Sequence, residues 1–167
     1  MLSPASGFPW VMKSKTSKAV DLGELPGHYI RRLQQIAVAI FLEETEAHGI
    51  TPVQYAALHA AQRDPGLDQR TLAATIGFDT STIGGVIDRL ERRGLIERHA
   101  SPTDRRVRLL HVSAEGEALL DTVIPAMLKA QKRILAPLSP AERPQFVAML
   151  KKVVDANNGL SRAPSDG

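Results

Sequence analysis

Residues 68–112 read DQRTLAATIGFDTSTIGGVIDRLERRGLIERHASPTDRRVRLLHV, and the punctuation of this stretch decides the fold. Asp68 opens a short helix that stops at Gly77, and Ile76-Gly77-Phe78-Asp79 supplies a turn. A second helix begins near Asp79 and ends at Gly94, since glycine readily adopts the left-handed conformation that closes a helix. Within that helix Ile83, Ile87 and Leu90, with Val86 at the margin, share one face. The opposite face carries Ser81, Gly85, Asp88 and Arg92, flanked by Thr82 and Arg89, so the segment is amphipathic at helical spacing. The period then changes. Residues 95–100 and 107–112 are short β-compatible runs around Ser101-Pro102-Thr103-Asp104-Arg105-Arg106, which is turn chemistry followed by charge. The predicted order is helix, turn, helix, basic hairpin.

Helices extend outward from this unit on both sides. Downstream, Ser113 caps a long helix carrying Leu119, Leu120, Val123, Ile124, Met127 and Leu128. Pro125 should kink that helix or be absorbed at a local cost. A last helix opens with a capping box, Ser139-Pro140-Ala141-Glu142, and is expected to bury Phe146, Val147, Leu150, Val153 and Val154. Upstream, Thr51-Pro52-Val53-Gln54 combines a cap residue, proline at the first helical position and a capping-box glutamine. An apolar stripe through Tyr29, Ile30, Leu33, Ile36, Ala37, Ile40 and Phe41 marks the first helix. The fold class is therefore mainly α with a small β-hairpin wing: a winged helix-turn-helix with a helical dimerisation region. Its expected boundaries are a flexible arm over 1–22, a regulator domain over 23–157 and a frayed tail over 158–167. Within the domain the lobe spans about 51–112, and the dimerisation helices span about 28–48 and 113–157.

Composition narrows the function. The net charge is only +3, yet seven arginines (Arg89, Arg92, Arg93, Arg98, Arg105, Arg106 and Arg108) fall within twenty residues against three acids, Glu91, Glu97 and Asp104. Such a local excess is the footprint of a phosphate-binding surface. The absence of cysteine excludes disulfides, thiolate metal sites and thiol redox sensing. The longest apolar run, residues 36–42, is too short to span a bilayer. Lys13, Lys15 and Lys18 follow the apolar patch at 8–12 instead of preceding it, which is the wrong order for a secretory signal. A cytoplasmic location and no membrane partner are the expectation. No Gly-rich phosphate loop, nucleophile elbow or paired histidines support an enzyme, so no catalytic residue is expected. The five histidines, His28, His48, His59, His99 and His111, lack metal-ligand spacing, and neither metal nor cofactor is expected.

In a winged helix-turn-helix the second helix enters the major groove and the wing reaches along the duplex. Small hydroxyls at the amino end, Thr80, Ser81 and Thr82, can reach base edges, while Arg89 and Arg92 can hold phosphates. A simpler role for Ser81 and Thr82 is to stabilise the helix start. The run Leu72-Ala73, Ser81-Thr82-Ile83, Asp88-Arg89-Leu90-Glu91-Arg92-Arg93-Gly94-Leu95-Ile96, Asp104-Arg105-Arg106, Leu109, Ser113 and Gly116 resembles the MarR family of winged-helix regulators. The resemblance covers residues 29–154. It implies a homodimer on a double-stranded DNA operator, repression as the commoner mode, and interlocking of the first helix with the last two. It also implies that Arg106, oriented by Asp104 and neighboured by Arg105, enters a minor groove. Gly84-Gly85 stands where many members carry Thr-Arg, which shifts expected readout toward Thr80, Ser81 and Thr82.

The apolar stripes before Glu43 and after Ser113 exceed what a small winged-helix core can cover, which independently favours association. Gly27-His28-Tyr29-Ile30-Arg31-Arg32 is similar to the first-helix start of relatives that sense aromatic acids. His28, Tyr29, Arg31 and Arg32 offer an imidazole, an aromatic face and guanidinium groups for the carboxylate of a small anionic aromatic effector. Intersubunit ion pairs are the alternative use of those arginines. Two other functions fit the same pattern: an architectural protein binding nucleic acid without sequence choice, and an interaction module whose arginine hairpin meets an acidic partner.

Overall fold

A computed structural model describes residues 21–161. The arm expected over 1–22 therefore lies almost wholly outside the described residues, as does the end of the expected tail. Two corrections fall at the edges. Asp21 caps a 3-10 turn, Leu22–Glu24, by accepting the Gly23 N–H at 2.9 Å. Residues Asn158–Leu160 form a further 3-10 turn directly after the last helix instead of starting a frayed tail.

Contacts divide the chain into two units, Met1–Gln34 and Gln35–Gly167, with the boundary inside helix α1, Pro26–Glu44. In the first unit, Pro26 begins α1, where its missing N–H costs nothing. The Leu25 carbonyl takes the N–H groups of His28 and Tyr29, and both Tyr29 and Ile30 are exposed.

In the second unit, α1 ends at Glu44 and buried Thr45 donates its hydroxyl to the Phe41 carbonyl at 2.8 Å. A 3-10 turn, Glu46–His48, closes on Gly49, whose φ of 58° is left-handed. Helix α2, Pro52–Arg63, starts with the full capping box: Thr51 Oγ1 accepts the Gln54 N–H and Gln54 Oε1 accepts the Thr51 N–H. There follow strand β1 (Leu67–Asp68), α3 (Gln69–Thr75), α4 (Thr80–Arg92), β2 (Ile96–Ala100), β3 (Arg108–Val112), α5 (Ala114–Ile134) and α6 (Glu142–Asn157). The two-residue β1 went unpredicted. It pairs antiparallel with β3, Leu67 opposite Leu110, and turns the hairpin into a three-stranded sheet of order β1-β3-β2.

Leu58 of α2, Leu72 of α3, Ile83, Ile87 and Leu90 of α4, Ile96 and Leu110 of the sheet, and Leu120 and Val123 of α5 are all fully buried. Each such side chain contributes about 1.5–3 kcal/mol through loss of water contact. The helix-turn-helix, the sheet and α5 thus share one core.

The sheet is tied to α5 through a tight joint. Ser113 Oγ accepts the Gly116 N–H at 3.0 Å and donates to the Gly94 carbonyl at 2.5 Å, while the Ser113 N–H bonds the Leu95 carbonyl. Gly116 is buried against Leu95 and Val112 with no room for a β-carbon. Helix α5 runs through Pro125. Pro125 and Asp121, whose carbonyl loses its helical donor, are both exposed, so water can replace that donor. At the far end of α5, Lys129 and Arg133 both bind the carboxylate of Glu44, and Arg133 also binds Glu43. These bonds, Lys129 first, hold the Glu44 carboxyl below its ordinary range.

Helix α6 departs from expectation twice. Its capping box is half formed: Glu142 Oε2 accepts the Ser139 N–H at 2.8 Å, but regular helix starts only at Glu142 and no side chain caps it. More importantly, the helix buries none of its residues within the chain. Val147, Leu150, Val153 and Val154 are exposed, and Phe146 is only partly covered. An apolar face this open does not serve the chain's own core.

Candidate nucleic-acid interface

Asp68 and Asp79 cap the two helices of the motif. Asp68 Oδ1 accepts the Thr71 N–H at 2.7 Å and Asp79 Oδ1 accepts the Thr82 N–H at 2.8 Å. Between them Gly77 takes a left-handed φ of 68°, as the turn requires, and the Phe78 N–H returns to the Ala73 carbonyl. Gln69 of α3 donates its Nε2 to the carbonyl of Thr80, the first residue of α4, at 3.0 Å. The same nitrogen would stand 3.0 Å from a β-carbon at Gly84. Gly84 is thus a packing glycine that lets Gln69 fasten the two helices. Gly85 has no such neighbour; the guanidinium of Arg89 is its nearest at 3.9 Å, which leaves a shallow notch in the helix surface.

Helix α4 is cleanly two-faced. Ile83, Val86, Ile87 and Leu90 are buried, whereas Thr80, Ser81, Thr82, Asp88, Arg89 and Arg92 are exposed. Two of the three hydroxyls singled out from sequence are also tied to the helix start. Ser81 Oγ donates to Asp79 Oδ1 and Thr82 Oγ1 to Asp79 Oδ2, each at 2.6 Å. These bonds, Ser81's first and Thr82's next, push the Asp79 carboxyl far below the usual carboxylate range. The helix-stabilising role is therefore present, and it leaves the same oxygens on the exposed face.

The arginine cluster divides by position. Arg93, at the end of α4, donates to the carbonyls of Gly49 and His48 at 2.7 and 3.3 Å and anchors the preceding turn. Arg98 on β2 bridges two acids of α4, Asp88 at 2.5 Å and Glu91 at 2.7 Å. Sequence reasoning missed both roles, because the partners lie far along the chain or on another element. Arg89, Arg92, Arg105, Arg106 and Arg108 remain on the surface. Arg92 also donates Nε to the Asp88 carbonyl one turn earlier.

The wing is a regular antiparallel pair, Ile96 opposite Val112 through Ala100 opposite Arg108. Its tip is closed by Ser101 N–H to the Val107 carbonyl and Val107 N–H to the Asp104 carbonyl. Asp104 Oδ1 accepts both the backbone N–H of Arg106 at 2.9 Å and its Nε at 3.2 Å, while Oδ2 accepts Nη2 at 3.3 Å. The Arg106 backbone N–H and then its guanidinium hold the Asp104 carboxyl below its ordinary range. The Arg106 side chain is nevertheless 92% exposed, so the pairing aims a guanidinium that water still surrounds.

In the first unit, His28, Tyr29, Arg31 and Arg32 sit on the opening turns of α1. The rings of His28 and Tyr29 meet edge to face at 5.7 Å, and Arg32 follows them by four and three residues, on the same side of the helix. Arg31 is exposed on the next position round and has an interaction of its own. Among the described residues no group of three or more His, Asp or Glu is placed to hold a metal, and no helix is long and apolar enough to cross a membrane.

Residues 48–107, which include the whole helix-turn-helix and the wing tip, match the family model described as the MarR family. The HTH-type transcriptional repressor NicR of Pseudomonas putida is 29% identical over 137 residues, covering 82% of this chain and 87% of NicR. Among solved structures, the PcaV transcriptional regulator of Streptomyces coelicolor, in complex with its natural ligand, is 37% identical with a TM-score of 0.75. That match covers 83% of this chain and 98% of PcaV. BpsR of Bordetella bronchiseptica, whose DNA binding is regulated by 6-hydroxynicotinic acid, is 30% identical with a TM-score of 0.78. It covers 83% of this chain and 99% of BpsR.

Proposed function

The chain belongs to the MarR family and is a transcriptional regulator of that type, not an enzyme; on that premise we propose that it is a dimeric, sequence-specific repressor that a small aromatic acid releases from its operator. The observation that carries the DNA-reading part is the division of α4 and the wing. Hydroxyls crowd the amino end of the exposed helix face, arginines its carboxyl end, and a pre-aimed Arg106 stands on the wing. In this reading Thr80, Ser81 and Thr82 approach base edges, Arg89 and Arg92 grip phosphates, and Arg105 and Arg106, with Asp104 behind the latter, take the neighbouring minor groove. A second copy docks on the exposed apolar residues of α5 and α6, which supports the dimer.

The effector part rests on His28, Tyr29, Arg31 and Arg32, and on two relatives, PcaV, solved with its natural ligand, and BpsR, whose DNA binding 6-hydroxynicotinic acid regulates. Arg32 supplies the carboxylate grip and Tyr29 the ring contact. A ligand shifts the equilibrium only by its differential affinity for the free and DNA-bound states, and a tenfold release corresponds to about 1.4 kcal/mol of coupling. Protection mapping on the DNA flanking the gene tests both parts. The expected footprint is two half-sites about one helical turn apart, erased by a benzoate-, cinnamate- or nicotinate-like acid in the wild type but not in Arg32→Ala. Equal affinity for random duplex would instead indicate an architectural protein. A footprint that no acid alters, or that Arg32→Ala loses as readily as the wild type, would remove the effector assignment.

A further inference from the structure

A serine or threonine hydroxyl is normally an indifferent reader of bases, because it can donate or accept. Two of the three on α4, Ser81 and Thr82, are not free to choose. Asp79 is ionised and can only accept, so the short bonds from Ser81 Oγ and Thr82 Oγ1 must carry the hydroxyl protons toward the carboxylate. Each hydroxyl has one proton and it is spent. What remains on the exposed side of both oxygens is lone pairs. We propose that Asp79 is a positioning residue for sequence readout: by taking the protons of Ser81 and Thr82 it turns them into obligate acceptors, which select bases presenting an amino group in the major groove. This rests on the DNA-reading role proposed above and deepens it.

The chemistry is discriminating. In the major groove adenine N6 and cytosine N4 are donors, whereas guanine O6 and N7 and thymine O4 are acceptors. A hydroxyl oxygen whose proton is already donated elsewhere bonds the first pair and meets the second lone pair to lone pair. Asp79 therefore rejects keto bases as well as favouring amino ones, and specificity often needs that repulsive half. Gly85, one turn along the same face, keeps the surface low enough for these short hydroxyls to reach a base edge.

The test is selection of bound duplexes from a random library by the full-length protein, followed by sequencing. Ser81→Ala and Thr82→Val identify the operator positions that each hydroxyl reads. Asp79→Asn is the decisive variant, because asparagine caps a helix about as well as aspartate while offering one acceptor and one donor in place of two acceptors. One hydroxyl then recovers its proton. The expected wild-type result, read along one strand, is that adenine and cytosine are both admitted and guanine and thymine both excluded at the positions whose preference collapses in Ser81→Ala or Thr82→Val. In Asp79→Asn, the amino-over-keto preference at one or both of those positions should fall about tenfold, the scale of one mismatched contact. Affinity for random duplex should not weaken, since an acidic group has been removed. Asp79→Ser, another good cap with no second acceptor, is the companion variant if Asp79→Asn folds poorly. A purely structural role for Asp79 predicts weaker binding with unchanged base preference. That outcome overturns the proposal, as does a mapped position that groups adenine with guanine or with thymine, or preferences indifferent to both hydroxyls. A wild type that recovers no preferred sequence at all overturns the DNA-reading assignment as well, so the two failures are distinguishable.

Discussion

Replacing Gly116 by alanine probes the joint between the wing and α5. A β-carbon there would drive into the carbonyl oxygen of Leu95 and stand 2.7 Å from Val112 Cγ1, where ordinary van der Waals contact begins at 3.4 Å. The Val112 side chain can rotate away. The Leu95 oxygen cannot retreat without stretching its bond from the Ser113 N–H, already 3.2 Å long. Helix propensity pulls the other way, since alanine is favoured over glycine by about 1 kcal/mol inside a helix. Overpacking a tight site costs about 1–3 kcal/mol, and the fixed Leu95 backbone places this one at the upper end. The net loss is about 1–2 kcal/mol, or roughly 2–8 °C in Tm for a chain of this size. Thermal unfolding followed by circular dichroism at matched protein concentration measures it, the concentration being fixed because association adds to apparent stability. Operator affinity should fall with it, since the wing is set by the same joint. An alanine variant that melts at or above the wild-type temperature would show that propensity outweighs packing here and refute the reasoning.

Arg106→Ala should weaken operator binding by about 1–3 kcal/mol and flatten the dependence of affinity on salt, measured by titration across ionic strengths; unchanged affinity with an intact fold removes the wing assignment. Glu44→Gln should lower stability at neutral pH. Because the Glu44 carboxyl is held below its ordinary value of 4.5, its contribution is present above that pH and disappears as pH falls through the depressed value. Urea unfolding at successive pH values should show the gap between wild type and variant closing on acidification; a gap independent of pH counts against the Lys129 and Arg133 bonds. Val154→Glu adds charge to a residue already exposed in the single chain, so it should leave the fold intact while shifting sedimentation toward monomer and abolishing specific binding. A dimer of wild-type affinity would exclude this face of α6 from the interface.

The features legible in sequence are those whose cause lies within a few residues. The Thr51–Gln54 capping box, the buried stripe of α4, the closure at Gly94 and the Asp104–Arg106 pair are all short-range devices, and each stands as read. Strand β1 escaped because two residues carry no period; it exists only through pairing with β3, some forty residues on. The apolar stripe of α6 was visible but its destination was not, since periodicity identifies a face and cannot say whether the chain itself covers it. Arg93 and Arg98 read as generic positive charge, and only the folded chain assigns them to the Gly49 carbonyl and to Asp88 and Glu91. The hydroxyls of Ser81 and Thr82 were found by position, but where their protons go depends on how the Asp79 carboxylate turns.

The bridge from Arg98 to Asp88 and Glu91 makes the charge of one element conditional on the folding of another. Taken alone, the latter half of α4 is electrically balanced, Asp88 and Glu91 against Arg89 and Arg92. Arg98, delivered by the hairpin, tips the balance to positive. If the hairpin frays, that arginine leaves, and the carboxylates of Asp88 and Glu91 lose their partner. The wing thus sets the charge of the helix it flanks: with the hairpin in place this surface is positive, and without it the latter half of α4 returns to neutrality.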